Sequence, residues 1–308
     1  MALADILKTF KTVNKKGILN EIDRYLIKRR GPDIGRPYET RAKGVHHPSS
    51  VSAEDCLRRL VYGWLKAQKS NPSKDPKGQR IFDTGHDFGY RMQGYFWGMG
   101  ILLGEWHCVK CGHTWVDMEN PSPAVCPKCG VDFEIWYNLH YLEVPLSDEK
   151  YNIKGRSDGC LLHPWGRQLI ELKTIKNRDA ASSAYSFCFE DLSEPRSSHR
   201  YQLNLYLDMA GRLYGRKHSN DLRHGLIIYG AKNNQLQKEF EITLMDEVVA
   251  PMYIKMETIE QCLKDGVLPV RGGDKKSCYK CKYCDYKDFC WTEHTFIDAD
   301  MRGKKDEG

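Results

Sequence analysis

Asp158 and the triplet Glu171-Leu172-Lys173 are the residues of this 308-residue chain whose types and spacing most directly suggest a reaction. Leu169-Ile170-Glu171-Leu172-Lys173-Thr174-Ile175 alternates with period two. A strand there puts Glu171 and Lys173 on one face, and Ile170 and Leu172 on the other. Gly155-Arg156-Ser157-Asp158-Gly159 opens a preceding strand, and His163-Pro164-Trp165-Gly166 reads as a turn, so an antiparallel return brings Asp158 beside the triplet. Two adjacent carboxylates repel each other unless a hard divalent cation sits between them. A lysine next to such an ion can orient or help deprotonate its water, which is chemistry suited to phosphodiester hydrolysis. The same spacing also fits a surface hairpin with one charged face, because Glu-x-Lys is common on strands.

The chain has twelve cysteines, and they form the second group. Cys108-x2-Cys111-x14-Cys126-x2-Cys129 is the spacing of a four-cysteine zinc ribbon; Gly112-His113-Thr114-Trp115 follows the first pair and Gly130 the second. The metal would hold together a segment too small to bury a core of its own. In the tail, Cys278-x2-Cys281-x2-Cys284-x5-Cys290 places four thiols within thirteen residues, which reads as a metal site. Its first three cysteines open like a ferredoxin run, but the spacing to the fourth differs and no proline follows. Cys160, Cys188 and Cys262 match no motif and read as buried apolar thiols.

A mixture of strands and helices must position these groups. Helical spacing covers 6–28, followed by a Gly- and Pro-rich basic connector over 29–48. A helix is expected to begin near Ser52, with Asp55 at the capping-box position and Cys56 on its first turn. Residues 71–79 read as a polar loop, and 81–98 as an aromatic segment that is helical after Thr84. Strands are expected over 136–144, 151–162, 168–175, 226–229 and 239–244, with helices over 200–213 and 246–264. Strands interleaved with helices indicate an α/β fold.

Composition sets the outer limits. With 41% hydrophobic and 29% charged residues, low-complexity, collagen-like and wholly disordered classes are excluded. No apolar run approaches the roughly 18 residues of a membrane span. The first residues lack the apolar core of a secretory signal, so a reducing cytoplasm is expected, with cysteines as ligands rather than disulfides. The formal charge is +6, and residues 1–50 alone hold eleven Lys/Arg against five Asp/Glu. A basic segment of this kind suits a polyanion partner, or is simply the solvated face of an amphipathic helix. No Gly-x-x-x-x-Gly-Lys-Ser/Thr run is present, so any ATP-driven motor is expected to be a partner. The seven tryptophans and seventeen tyrosines could supply base-stacking platforms, or core.

The site residues resemble the PD-(D/E)XK nuclease superfamily, in particular its RecB-like branch with AddB-like and CRISPR-adaptation nucleases. Gly155-Arg156-Ser157-Asp158-Gly159 is similar to that branch's Gly-x-x-Asp strand, Glu171-Leu172-Lys173 to its Glu-x-Lys strand, and Gln202-Leu203-Asn204-Leu205-Tyr206 to its Gln-x-x-x-Tyr helix. Glu143 stands where the branch often has an acidic residue before the Asp strand. His86 is similar to an upstream histidine ligand, although many relatives carry it at the position here held by Gly89. The resemblance implies a mixed central sheet flanked by helices. It implies Mg2+ or Mn2+ held by Asp158, Glu171, the Leu172 carbonyl and His86, with Lys173 positioning water and Gln202 and Tyr206 lining the site or the DNA backbone. It further implies a 4Fe–4S cluster on Cys281, Cys284 and Cys290, with Cys56 as fourth ligand and Cys278 spare; the competing set takes Cys278 and leaves Cys56 as an apolar thiol. Zinc in the same ligands is the other occupant considered.

The implied organisation is a basic N-terminal helix and connector over 1–50, a helical part of the nuclease with Cys56 over 51–103 and an inserted zinc ribbon over 104–135. The nuclease core follows over 136–272, then the iron–sulfur cysteines over 273–292 and a disordered tail over 293–308. The implied activity is exonuclease action on DNA ends or single strands in recombination, replication or repair. The ribbon-bearing form is similar to phage nucleases that work beside a single-strand annealing protein, and a helicase is the other partner expected. With zinc and an oxidised cluster on eight thiolates the formal charge falls to about +2, so the local charge of residues 1–50 matters more than the total. The alternatives are a non-catalytic nucleic-acid-binding protein using the ribbon, and a redox or electron-transfer iron–sulfur protein.

Overall fold

Branched and leucine-rich runs in the middle of the chain pair into a seven-stranded mixed sheet. The computed structural model describes residues 44–52, 55–67, 76–133, 138–164, 166–178, 188–215, 221–282, 284–292 and 296–297. Its strands are β1 (Leu102–Cys108), β2 (Thr114–Asp117), β3 (Leu139–Tyr141), β4 (Val144–Asp148), β5 (Ile153–Ser157), β6 (Gly159–His163), β7 (Gly166–Ile175), β8 (His224–Ala231) and β9 (Gln237–Thr243). The sheet runs β2-β1-β6-β7-β8-β9, with β3 also on β1, while β4 and β5 form a separate hairpin. β7 pairs antiparallel with β6 and parallel with β8, and β8 pairs antiparallel with β9.

The helices are α1 (Leu57–Trp64), α2 (Pro76–Gly98), α3 (Ser197–Leu213), α4 (Asp246–Asp265), α5 (Tyr279–Lys282) and α6 (Lys287–Cys290). A parallel pair needs a crossover connection, and α3 supplies it between β7 and β8. Alternation along β7 and β8 divides their side chains between two cores. Leu169, Ile175, Ile227 and Tyr229 pack with Leu203, Leu207 and Met252 of α3 and α4. Ile170, Leu172, Leu226 and Ile228 pack on the other face with Phe88, Met92 and Phe96 of α2. A third cluster joins Val61 and Tyr62 of α1 to Ile259, Leu268 and Tyr286. The chain divides into two compact units, Met1–Tyr38 with Pro72–Asp87, and Glu39–Asn71 with Phe88–Gly308. The sheet, the cores and α2 from Phe88 onward belong to the second.

Several boundaries differ from expectation for local reasons. Helix α1 starts at Leu57 with Cys56 as its N-cap, not near Ser52. The Ser52–Asp55 pattern closes a turn of its own, with the Ser52 amide donating to Asp55 Oδ2 at 2.8 Å. The single strand expected over 151–162 is two, β5 and β6, broken at Asp158. The strand expected over 136–144 is β3 and the first residue of β4, separated by a turn with Glu143 at φ +68°; residues 136 and 137 lie outside the described residues. Helix α2 begins at Pro76, where the fixed φ of proline suits a first helical turn. The ribbon's first strand is shared with the core: Leu102 and Leu103 of β1 pair with Leu161 and Cys160 of β6. The N-terminal helix expected over 6–28, the connector up to residue 43, most of the tail and Trp165 in the turn lie outside the described residues. Among the described residues no helix is long and apolar enough to cross a membrane.

Candidate active site and metal centres

Asp158 occupies the point where the strand changes partners. Ser157 pairs with Val144 of β4, whereas Gly159 pairs with Ile170 of β7. A Cβ at Gly159 would lie 2.9 Å from Ile170 Cδ1, so a larger residue here would have to displace the end of the Ile170 side chain. The break is held from three sides. Asp158 Oδ2 accepts from the Leu172 amide at 2.5 Å, Ser157 Oγ donates to the Ile170 carbonyl at 2.8 Å, and Gln93 Nε2 donates to the Asp158 carbonyl at 2.8 Å. The N–H and C=O of one strand residue leave on the same side. The Leu172 carbonyl therefore also points toward Asp158, beyond the last β6–β7 pair.

Glu171 is 1% exposed. One carboxylate oxygen pairs with Lys173 Nζ, and the other, Oε2, is buried without a hydrogen-bond partner. Burial raises the Glu171 pKa to about 8; Lys173 opposes that shift and Asp158 adds to it. For Lys173, burial favours the neutral amine, but the Glu171 and Asp158 carboxylates outweigh it and hold the ammonium. An orphaned carboxylate oxygen beside a second carboxylate and a strand carbonyl is a hard-oxygen donor set, which a small divalent cation fits.

Helix α3 presents the next pair. Gln202 Nε2 donates to the Tyr206 hydroxyl at 3.2 Å. A Cβ at Gly155 would meet Tyr206 Cε1 at 2.9 Å, so the ring lies directly on the backbone of β5. Burial and then the Glu171 charge push the Tyr206 phenol well above its ordinary pKa. The structure thus brings Asp158, Glu171, Leu172, Lys173, Gln202 and Tyr206 together. The Glu143 charge acts on both Glu171 and Tyr206. His86 is an exposed residue of α2 within the first compact unit. Spacing gave no sign of Gln93 or Tyr229. His199, one turn before Gln202 on α3, lies just outside the helix expected over 200–213, because the observed helix begins at Ser197.

Cys108, Cys111, Cys126 and Cys129 converge, with all four sulfurs within 4.8 Å of one another. Cys108 and Cys129 are 3.8 Å apart and Cys111 and Cys126 3.7 Å. A tetrahedron with metal–sulfur arms of about 2.3 Å has edges of about 3.8 Å, so these thiols fit one tetrahedral ion. The two loops repeat the same turn. Gly112 and Gly130, at φ +69° and +67°, donate to the Cys108 and Cys126 carbonyls, each at 2.9 Å.

At the tail, Cys56, Cys281, Cys284 and Cys290 line one pocket with Arg59, Arg271 and Trp291. A Cβ at Gly272 would come within 2.8 Å of Cys56 Sγ, and one at Gly273 closer still to Cys278 Sγ and within 3.0 Å of Cys281 Sγ. The two glycines thus leave a floor on which only backbone lies under the sulfurs, space that fits an inorganic cluster. Cys278 is not among the lining residues described; its thiol lies against Cys281.

A family described as the PD-(D/E)XK nuclease superfamily matches residues 92–291. That span contains the Asp158 site, the ribbon and all four tail cysteines, but neither Cys56 nor His86. No curated protein matches the chain. The crystal structure of SSO0001 is similar to it at 15% identity, with a TM-score of 0.41, over 91% of this chain and 99% of that one.

Proposed function

The chain belongs to the PD-(D/E)XK nuclease superfamily, and on that premise we propose that it is a metal-dependent deoxyribonuclease of the RecB-like, AddB-like type, an exonuclease working on DNA ends or single strands. The observation that carries this reading is the buried, unpartnered Oε2 of Glu171, set beside Asp158 and clamped from the other oxygen by Lys173. Asp158, Glu171 and the Leu172 carbonyl would hold Mg2+ or Mn2+. When bound, that ion supplies Lewis-acid stabilisation of the charge developing on the phosphate and makes water a better nucleophile. Lys173 keeps its ammonium beside the reacting phosphate, orienting the attacking water and countering the phosphate's charge. Gln202 and Tyr206 form the wall over β5 and contact the DNA backbone.

Zinc is the proposed occupant of the ribbon. A 4Fe–4S cluster is proposed on Cys56, Cys281, Cys284 and Cys290, tying the start of α1 to the tail. Work beside a single-strand annealing protein or a helicase, in recombination or replication of a phage within a host cytoplasm, follows from the family resemblance. Lys173→Ala is expected to lower divalent-ion-dependent cleavage by at least about a hundredfold while DNA binding and metal content stay at the parental level. A Lys173→Ala protein that degrades DNA at the parental rate overturns the assignment.

A further inference from the structure

A lysine serves a reacting phosphate only if its ammonium stays in one place, and four rotatable side-chain bonds work against that. Glu171 restrains Lys173 from one side. On the neighbouring parallel strand, Tyr229 is in register with Lys173, its side chain on the same face of the sheet and 0% exposed. The phenol oxygen is pinned twice from the start of α3. The Arg196 amide donates to it at 3.1 Å, and His199 Nδ1 lies 2.8 Å away. The two rings sit 5.6 Å apart at 36°, and Phe240 meets the Tyr229 ring edge-on at 5.8 Å.

His199, Gln202 and Tyr206 are spaced by three and then four residues, so they form one stripe along α3. Tyr206 lies on β5, whereas His199 reaches across to β8. Burial, and then the Lys173 charge, push the His199 pKa down to about 3, so the imidazole is neutral and adds no second cation beside the lysine. With Arg196 already donating to the phenol oxygen, a neutral Nδ1 can accept the hydrogen bond donated by the phenol O–H and fix the hydroxyl at both ends.

We infer that the His199–Tyr229 hydrogen bond is a positioning device for Lys173, locking the ring that forms the lateral wall of the ammonium's site and tying α3 to β8 at that point. The inference rests on the nuclease reading above. Tyr229→Phe keeps the ring and loses the bond, His199→Leu loses it from the other side, and His199→Asn retains a polar atom near the position of Nδ1.

The test is steady-state DNA cleavage with Mn2+ by the full chain, with Mn2+ affinity and the melting midpoint measured on the same proteins. Tyr229→Phe and His199→Leu should each lower kcat about tenfold with KM for DNA unchanged. The double variant should fall no further than either single one, and His199→Asn should stay within about twofold of the parent. Mn2+ affinity should not move. Parental kcat in Tyr229→Phe, additive losses in the double variant, or a loss in His199→Asn equal to that in His199→Leu would each overturn the inference while leaving the nuclease intact. An unaltered protein that shows no Mn2+-dependent cleavage removes the nuclease reading, and the inference with it.

Discussion

Glu171 is a carboxylate placed where water cannot reach it, and its cost to the metal-free fold is measurable. Its pKa in the folded protein is raised from 4.5 to about 8, chiefly by burial. Between those values the folded state holds a proton that the unfolded chain has released, so stability falls as pH rises through the window and the full cost remains above about pH 8. Without added divalent ion, the melting midpoint should therefore drop from about pH 5 to about pH 8. Mg2+ or Mn2+ should restore it most at the alkaline end, because the ion binds the ionised form. Glu171→Gln should flatten the slope and abolish the ion-dependent gain; a Gln variant with the parental pH slope would show that the burden lies elsewhere. The Glu171/Lys173 alternation was legible because a period of two shows in any short run of sequence. The exchange of partners at Asp158 was not, because it depends on which strand Ser157 and Gly159 each find, and the sequence there runs smoothly through 151–162.

Among the elements, the two cysteine centres are built differently and should fail differently. The ribbon is continuous with the core: Trp106, Cys108 and Cys126 share one apolar cluster with Ile170 and Leu172. Cys111→Ser should thus loosen the strand that carries the site as well as the hairpin. Its melting midpoint should fall by several degrees, since each kcal/mol lost from a chain of this size moves it by about 2–4 °C. A variant that loses its metal with no change in midpoint would make the ribbon an independent appendage. The proposed tail centre takes one ligand from the N-cap of α1, Cys56, whose thiol lies against Gly272. Cys56→Ser and Gly272→Ala should lower iron per chain and the absorbance near 400 nm (the region used for iron–sulfur centres), whereas Cys278→Ser should preserve both. Loss on replacing Cys278 but not Cys56 would reverse that ligand choice. Helices α3 and α4 and strands β7 to β9 could be read from periodicity. Helix α1 was placed too early, because Ser52 and Asp55 resemble a cap while closing a turn of their own. β1 and β2 were hidden because cysteine and glycine punctuation masks a strand pattern.

Across the whole molecule, charge is concentrated at one end. All eleven Lys/Arg and five Asp/Glu of residues 1–50 lie within 1–43, so the remaining chain carries no formal net charge. Removing residues 1–43 should weaken DNA binding at low salt and make its salt dependence shallower, because fewer counterions are released, while kcat at saturating DNA stays at the parental value. Unchanged affinity and salt slope would assign binding to residues 44–308 alone. The family, the mixed sheet and the Asp158–Glu171–Lys173 arrangement together support the proposed divalent-ion-dependent hydrolysis of DNA. The direct measurement is cleavage of end-labelled linear DNA and covalently closed circular DNA by the unaltered protein, with and without Mg2+ or Mn2+. Ion-dependent degradation of the linear substrate with the circle spared is the expected result; no ion-dependent cleavage of either substrate would refute the nuclease assignment.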